Sequence, residues 1–281
     1  MNVPFVSPPA ARAGYQQAPS PSVNDPAAAR THLRLLSYNI QAGIASTRAH
    51  HYVTQGWKNV LPHPRSFENL DRIAHLVSDY DVVALQEADG GSMRSYFINQ
   101  VEYLARRGRF PFWYHQTNRN LGKFAQHSNG LLSKIQPQEI IEHKLPGLIP
   151  GRGLMMTRYG GGEHPLVVLL AHLALSKRAR LQQLAFIGDI VNDYQHVVLM
   201  GDLNCQLQSQ EMDFLLGNTH LCEPLETLHT FPSWRPFRNI DHILVTPSLK
   251  IRDLQVLNHA ISDHLPISLE LALPASVRLP V

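Results

Sequence analysis

Cysteine is scarce: Cys205 and Cys222 are the only two in 281 residues. Two thiols exclude a disulfide-dense secreted scaffold and any all-cysteine zinc site, and two buried reduced thiols are a simpler reading than one bridge. Charge of one sign is also lacking. Twenty-five Lys and Arg face 22 Asp and Glu, a formal +3, which neither argues for nucleic acid as a partner nor excludes it. Long apolar runs are missing too. The longest, Pro165–Leu175, contains His172 and falls far short of the roughly 20 residues that span a bilayer. Residues 1–31 are rich in Pro, Ala, Ser and Gln, without the continuous apolar core of a signal peptide. They read as a disordered tail on a cytoplasmic protein, expected to be a monomer. No internal repeat and no linker follow.

What is present suits one compact domain of mixed α/β type over residues 32–274, followed by a short tail at 275–281. The chain is 44% hydrophobic and only 17% charged, too apolar for a disordered chain and long enough to bury a full core. Buried strands are expected at Leu33–Ile40, Asp81–Glu87, Asn129–Ser133, Leu154–Tyr159, Pro165–Leu173, His196–Met200 and His242–Thr246, with a last pair at Ile251–Val256 and Ile267–Leu271. Helical spacing predicts helices from Ser66, as N-cap, through Phe67, Leu70, Ile73, Ala74 and Val77, over Met93–Arg107, over Leu175–Tyr194, and over Ser209–Leu216.

Strand after strand ends on a carboxylate, amide or imidazole: Asn39, Glu87, His172, Asp202 with Asn204, Asp241, and Asp263 with His264. One Asp or Asn after a strand usually makes a turn. Six segments delivering such groups to one sheet edge point instead to a metal-assisted site.

These segments carry a resemblance. Leu36-Ser-Tyr-Asn-Ile40, Leu85-Gln-Glu87, Asn129-Gly-Leu-Leu-Ser133, Ala171-His-Leu173, Gly201-Asp-Leu-Asn204, Ile240-Asp-His-Ile243 and Ser262-Asp-His-Leu-Pro266 occur in the order found in the endonuclease/exonuclease/phosphatase family, the deoxyribonuclease-I-like phosphoesterases. The resemblance covers residues 33–271. It implies a four-layer α/β/β/α sandwich of two mainly antiparallel sheets and a Mg²⁺-dependent hydrolysis of a phosphodiester, with Mn²⁺ as a substitute. Mg²⁺ prefers hard oxygen ligands and keeps several waters, so one or two carboxylates suffice. By resemblance Glu87 is the principal metal ligand, with Asn39 and Asp263 beside it. His264 matches the family's catalytic histidine and Asp241 the carboxylate that orients it. Asp202 and Asn204 match the pair that positions the attacking water and contacts the phosphate. We assign Asp202 as base and His264 as phosphate clamp, the reverse roles remaining open. His172 stands where some branches carry a second histidine, a general acid or a donor to the scissile phosphate. Arg152 falls where some members bind phosphate, and Asn129 matches an amide at the rim.

Other features are weighed as structural. Cys205 reads as an inert thiol, and His50, His51 and His63 lack zinc spacing. Arg106–His115 interleaves cations with aromatics, as single-strand binders do, but an Arg-rich helix end entering an edge strand explains it equally. Thr230–Asn239 precedes Asp241 and supplies Trp234, Phe231 and Phe237 with Arg235 and Arg238, a substrate-recognition wall or a stiff cover. Relatives cleave DNA, RNA, inositol phosphates and sphingomyelin, so the substrate stays open. A nuclease or small-substrate phosphodiesterase is the first reading, and a small-molecule phosphatase is an alternative to it. A phospholipid enzyme, with membrane-surface contact through an exposed apolar rim, is another. A non-catalytic binding module is the remote third.

Overall fold

A computed structural model describes residues 30–43, 65–120, 122, 124–147, 151–222 and 227–280. The expected disordered tail and His50, His51 and His63 lie outside the described residues, apart from the tail's last two, Arg30 and Thr31. Among the described residues eleven strands form two sheets. They are β1 (His32–Asn39), β2 (Val82–Asp89), β3 (Phe112–Asn120), β4 (Gln126–Ser133), β5 (Glu139–Lys144), β6 (Gly153–Tyr159), β7 (Leu166–His172), β8 (His196–Asp202), β9 (Asp241–Val245), β10 (Lys250–Val256) and β11 (Ile267–Ala272). One sheet runs β10-β11-β1-β2-β4-β3, the other β5-β6-β7-β8-β9. Among the described residues only β1–β2 and β7–β8 pair in parallel. Each parallel pair needs a crossover, supplied by helices α1 (Arg65–Val77) and α3 (Lys177–Asn192). Helices α2 (Gln100–Arg107) and α4 (Gln210–Asn218) complete the outer layers.

Alternation along each strand builds three apolar layers. Leu33 and Leu35 of β1, Val168 and Leu170 of β7, and Val198 and Met200 of β8 fill the space between the sheets. The opposite faces carry Leu36 and Tyr38 toward α1 and α2, and Leu169 and Leu199 toward α3 and α4. Strands covered on both sides read as nearly unbroken apolar runs. Leu70, Ile73, Ala74 and Val77 form the buried stripe of α1, and Leu184, Ile187 and Val191 that of α3. Gly201, at φ +139°, is required by this packing, because a Cβ there would collide with the Ala171 carbonyl of the neighbouring strand.

Three local expectations differ. Met93–Arg107 is not one helix: Met93–Ser95 is a single 3-10 turn, Tyr96 and Phe97 have positive φ, and α2 starts only after Asn99. The Asp89 carboxylate holds the turn through Ser92 and Ser95, and Asn99 caps α2 through the Val101 and Glu102 amides. Residues 275–280, read as part of a tail, pack onto the body. Val277 and Leu279 enter the inter-sheet core, and the Arg30 amide donates to the Leu279 carbonyl at 3.0 Å. Strand β5, with only Ile140 and Ile141 as an adjacent apolar pair among Glu, His and Lys, was not foreseen.

Candidate active site

On the inner face of the sandwich the side chains change from aliphatic to polar at one edge. Leu33 and Leu35 share their face with Asn39, Leu170 with His172, Met200 with Asp202, Ile243 with Asp241, and Leu131 with Asn129. Strand pairing then aligns the polar ends, because His172 is the register partner of Asp202 and Asp202 that of Asp241. Glu87 would point outward by strict alternation, since Val83 and Leu85 face the helices. A β-bulge rescues it. Leu85 pairs with Gly130 and Ala88 with Ser128, so Gln86 and Glu87 together oppose Asn129, and Glu87 takes φ +56°.

The convergence is tight. Asn39, His172, Asp202, Asp241, Asp263 and His264 are each 5% exposed or less, while a third of the Glu87 side chain is open. His264 Nδ1 lies 2.8 Å from Asp241 Oδ2, and the Thr230 hydroxyl donates to that same oxygen. His264 Nε2 then lies 3.9 Å from Asp202 Oδ2. His172 Nε2 stands 3.5 Å from Asp202 Oδ2 and 3.9 Å from Glu87 Oε1. Asn39 Nδ2 donates to Asp202 Oδ2 at 3.2 Å while its Oδ1 accepts from the Gln41 amide. Asn204 donates its backbone N–H to Asp202 Oδ1 at 3.0 Å and its Nδ2 to the Leu173 carbonyl at 2.9 Å. Asp263 accepts from the Ser262 hydroxyl at 3.0 Å.

The electrostatics follow from these neighbours. Burial lifts Asp202 to about 7, and the Asp241 charge adds to the rise. Glu87 is also raised, by burial and then by Asp263. Burial opposes protonation of His264, but Asp241, Asp202 and Asp263 overcome it and lift it to about 10. His172 falls well below the usual imidazole value through burial, with Arg152 and His264 acting the same way. It is therefore neutral, which favours a hydrogen-bond donor over a charged general acid. Arg152 is lowered by burial and held up by Glu87 and Asp202.

Two residue sets suit a cation. Asp202, Asp241 and His264 offer ligand atoms within 4.8 Å of one another, but Asp241 Oδ2 already accepts from both His264 and Thr230. That set is better explained as a hydrogen-bonded acid–imidazole unit. The Asp263 charge raises Glu87, a like-charge pairing that a hard cation bound through oxygen relieves. Asn39 as arranged here turns its nitrogen toward the acids.

A cleft of about 590 Å³ opens beside Glu87 and His172, lined also by Arg152, Arg119, Arg178 and His127. Asn129 lies beneath the rim, fully buried, with its Nδ2 on the Gly153 carbonyl at 3.3 Å, so it supports the strand that follows Arg152. Trp234 is half-buried in its loop. Phe231 of that loop lies against the site, 4.8 Å between ring centroids from His264. Thr230 escaped the sequence reading, although it opens the segment before Asp241. Cys205 is buried and pushed up to about 12 by that burial, consistent with an inert thiol. Cys222 is exposed.

A model of the "Endonuclease/Exonuclease/phosphatase family" matches residues 36–264. No curated protein matches the sequence. Among solved structures, an endonuclease/exonuclease/phosphatase from Beutenbergia cavernae is 20% identical at a TM-score of 0.67, over 87% of this chain and 72% of that one. A mannosyl-6-phosphatase from Bacteroides thetaiotaomicron is 17% identical (TM-score 0.63; 85% and 99% covered). A humanised D. rerio TDP2 is 16% identical (TM-score 0.61; 86% and 99% covered).

Proposed function

Since the chain belongs to the endonuclease/exonuclease/phosphatase family, we propose that it is a Mg²⁺-dependent phosphodiesterase that hydrolyses its substrate by in-line attack of water. The observation that carries this reading is the geometry of His264, held by Asp241 at 2.8 Å and facing Asp202 across 3.9 Å. Asp202 takes the proton of the attacking water as its oxygen bonds to phosphorus, and Asn204 orients that water. His264 donates from Nε2 to a non-bridging phosphate oxygen, where charge accumulates in the transition state. Asp241 and Thr230 fix the imidazole so that Nε2 is the nitrogen offered. His172, neutral, donates a hydrogen bond to the phosphate. The bond from phosphorus to the leaving oxygen breaks, the leaving oxygen takes a proton from solvent water, and Asp202 returns the proton it took to solvent, so the cycle closes. Glu87 and Asp263 would hold Mg²⁺, joined by Asn39 once its amide presents Oδ1 in place of the Nδ2 now turned to Asp202, and the ion would supply charge neutralisation at the phosphoryl oxygens. Arg152 binds the phosphate from the cleft side.

The test is hydrolysis of bis(4-nitrophenyl) phosphate with Mg²⁺, beside plasmid and single-stranded DNA and mannose 6-phosphate. Diester cleavage that vanishes with chelator and in His264→Ala supports the reading. Activity on the monoester alone would move it to a phosphatase. Hydrolysis indifferent to chelator or to His264→Ala would refute it.

A further inference from the structure

Seven large hydrophobic side chains stand out in solvent among the described residues: Tyr96, Phe97, Phe124, Leu175, Phe214, Phe237 and Ile251. Only Phe214, on α4, and Ile251, on β10, lie away from the catalytic edge. The other five sit on four separate loops that all emerge there. Tyr96 and Phe97 follow β2 beyond Glu87, and Leu175 follows β7 beyond His172. Phe237 precedes Asp241 at the start of β9. Phe124 lies in the β3–β4 turn, and β4 brings that turn to the same edge because His127 pairs with Asp89. Exposure is high at the tips: 65% for Phe97, 58% for Phe124, 76% for Leu175 and 63% for Phe237. Apolar tips gathered around one opening mark a surface built to be covered.

Charge is segregated in the same place. The sequence segments 90–99, 118–128, 173–182 and 227–239 contain no Asp or Glu. They hold eight of the 25 Lys and Arg, which leaves 17 in the rest of the chain against all 22 acids. Two of the eight are committed to ion pairs, Arg94 with Asp89 and Arg180 with Glu211. Arg119, Lys177, Arg178 and Arg235 are exposed. The catalytic carboxylates lie behind this rim, buried. Five of those 22 acids, Glu87, Asp89, Asp202, Asp241 and Asp263, lie at this edge behind the rim, so the other 17 balance the 17 cations and the excess positive charge sits in these loops, on the side to which an anionic surface is attracted.

We propose that this rim docks the protein on an anionic phospholipid surface, with the apolar tips entering the acyl boundary and the cations meeting the headgroups. The inference rests on the phosphodiesterase reading for its consequence, that the diester presented to the cleft belongs to a lipid headgroup. Exposed phenylalanine beside arginine also suits single-stranded nucleic acid. The lipid surface is favoured because the tips come from four loops rather than one continuous track, and because Leu175, the most exposed of them, has no ring on which a base stacks. Insertion of apolar tips together with attraction of Lys and Arg to anionic lipid is the two-part logic of interfacial binding.

The experiment is flotation of the full chain with vesicles of phosphatidylcholine alone and with about one-third phosphatidylglycerol. Beside it, a fluorescent single-stranded oligonucleotide reports nucleic-acid affinity. Binding to the anionic vesicles should exceed that to neutral ones by about tenfold or more and weaken as NaCl rises from about 0.1 to 0.5 M. The double variant Phe97→Ser/Phe124→Ser should lose about tenfold in vesicle affinity while keeping hydrolysis of bis(4-nitrophenyl) phosphate. No binding by the wild type, or binding indifferent to lipid charge and salt, overturns the proposal without any variant being needed. Oligonucleotide binding in the absence of vesicle binding overturns it in favour of nucleic acid. Vesicle binding without hydrolysis of any diester would instead leave the rim standing and remove the phosphodiesterase reading.

Discussion

Asp89 and Asp202 are both buried carboxylates, closing strands that reach the same edge of the sandwich, yet their surroundings differ in kind. Asp89 accepts from the amides of Gly91 and Ser92, the hydroxyls of Ser92 and Ser95, and Arg94 Nε. Burial alone would raise it, but Arg94 and Ser92 overcome that and hold it at about 2. Asp202 has an amide, a backbone N–H and two imidazoles near it, and also Asp241 and Glu87, and it rises to about 7. A carboxylate saturated with donors is a staple for a loop. One crowded by other acids is costly to keep charged, and that cost is tolerated where a proton or a cation is to be handled. The same contrast separates the two arginines: Arg94 is spent on Asp89, whereas Arg152 faces the cleft.

The comparison can be broken from either side. The largest effect is expected at the site. His264→Ala should lower diester hydrolysis by about 10³-fold. Asp241→Asn should approach that loss, and the double variant should add little, because the two act as a unit. Additive losses in steady-state kinetics would separate them. Next, Asp89→Asn should destabilise the fold by about 3 kcal/mol at pH 7, since it leaves Arg94 buried without its counter-charge. The sign with pH follows from the lowered value. The stability contributed by ionised Asp89 is complete above its unfolded value near 4 and is lost as pH falls toward 2. Urea melts of wild type and variant should therefore converge over that acid range.

Two smaller effects sharpen the contrast. Glu87→Gln should raise the Mg²⁺ concentration for half-maximal activity by about tenfold or more, while an unchanged metal titration would remove Glu87 from the ligand set. Asp202→Asn should act on stability in the opposite sense to Asp89→Asn. A carboxyl raised to about 7 favours the folded state only when protonated, so the wild type loses stability as pH rises from about 4 to 7. In chelator at pH 8 the variant should melt higher, by about 1 kcal/mol. A lower melting temperature would show that Asp202 is stabilised as an anion after all.

Much of this architecture was readable from residue types. Leu36–Ile40, Leu85–Glu87 and Gly201–Asn204 announce buried strands that stop at polar groups, and the structure brings those groups to one edge. Helix α1 runs through the stripe that Leu70, Ile73, Ala74 and Val77 mark, although Ser66 falls inside its first turn rather than at its cap. The failures share a physical cause. Met93–Arg107 has helical periodicity, but the Asp89 network and the Asn99 cap impose a turn before α2, and both act through side chains distant from the periodic positions. Val277 and Leu279 carry no strong pattern, and only the space left between the sheets makes them core.

By itself, then, the order of segments carrying Asn39, Glu87, His172, Asp202, Asp241 and Asp263–His264 determined the family resemblance and the chemical character of one edge, because strand periodicity and residue type are local properties, although Asp241 begins its strand and Asp263–His264 precede theirs. The tertiary structure decided what those groups do to each other. A bulge turns Glu87 inward, Thr230 reaches Asp241 from another loop, and four loops far apart in sequence place apolar tips around one opening. Proton affinity and surface patches depend on distances between segments, and those distances exist only once the two sheets have packed.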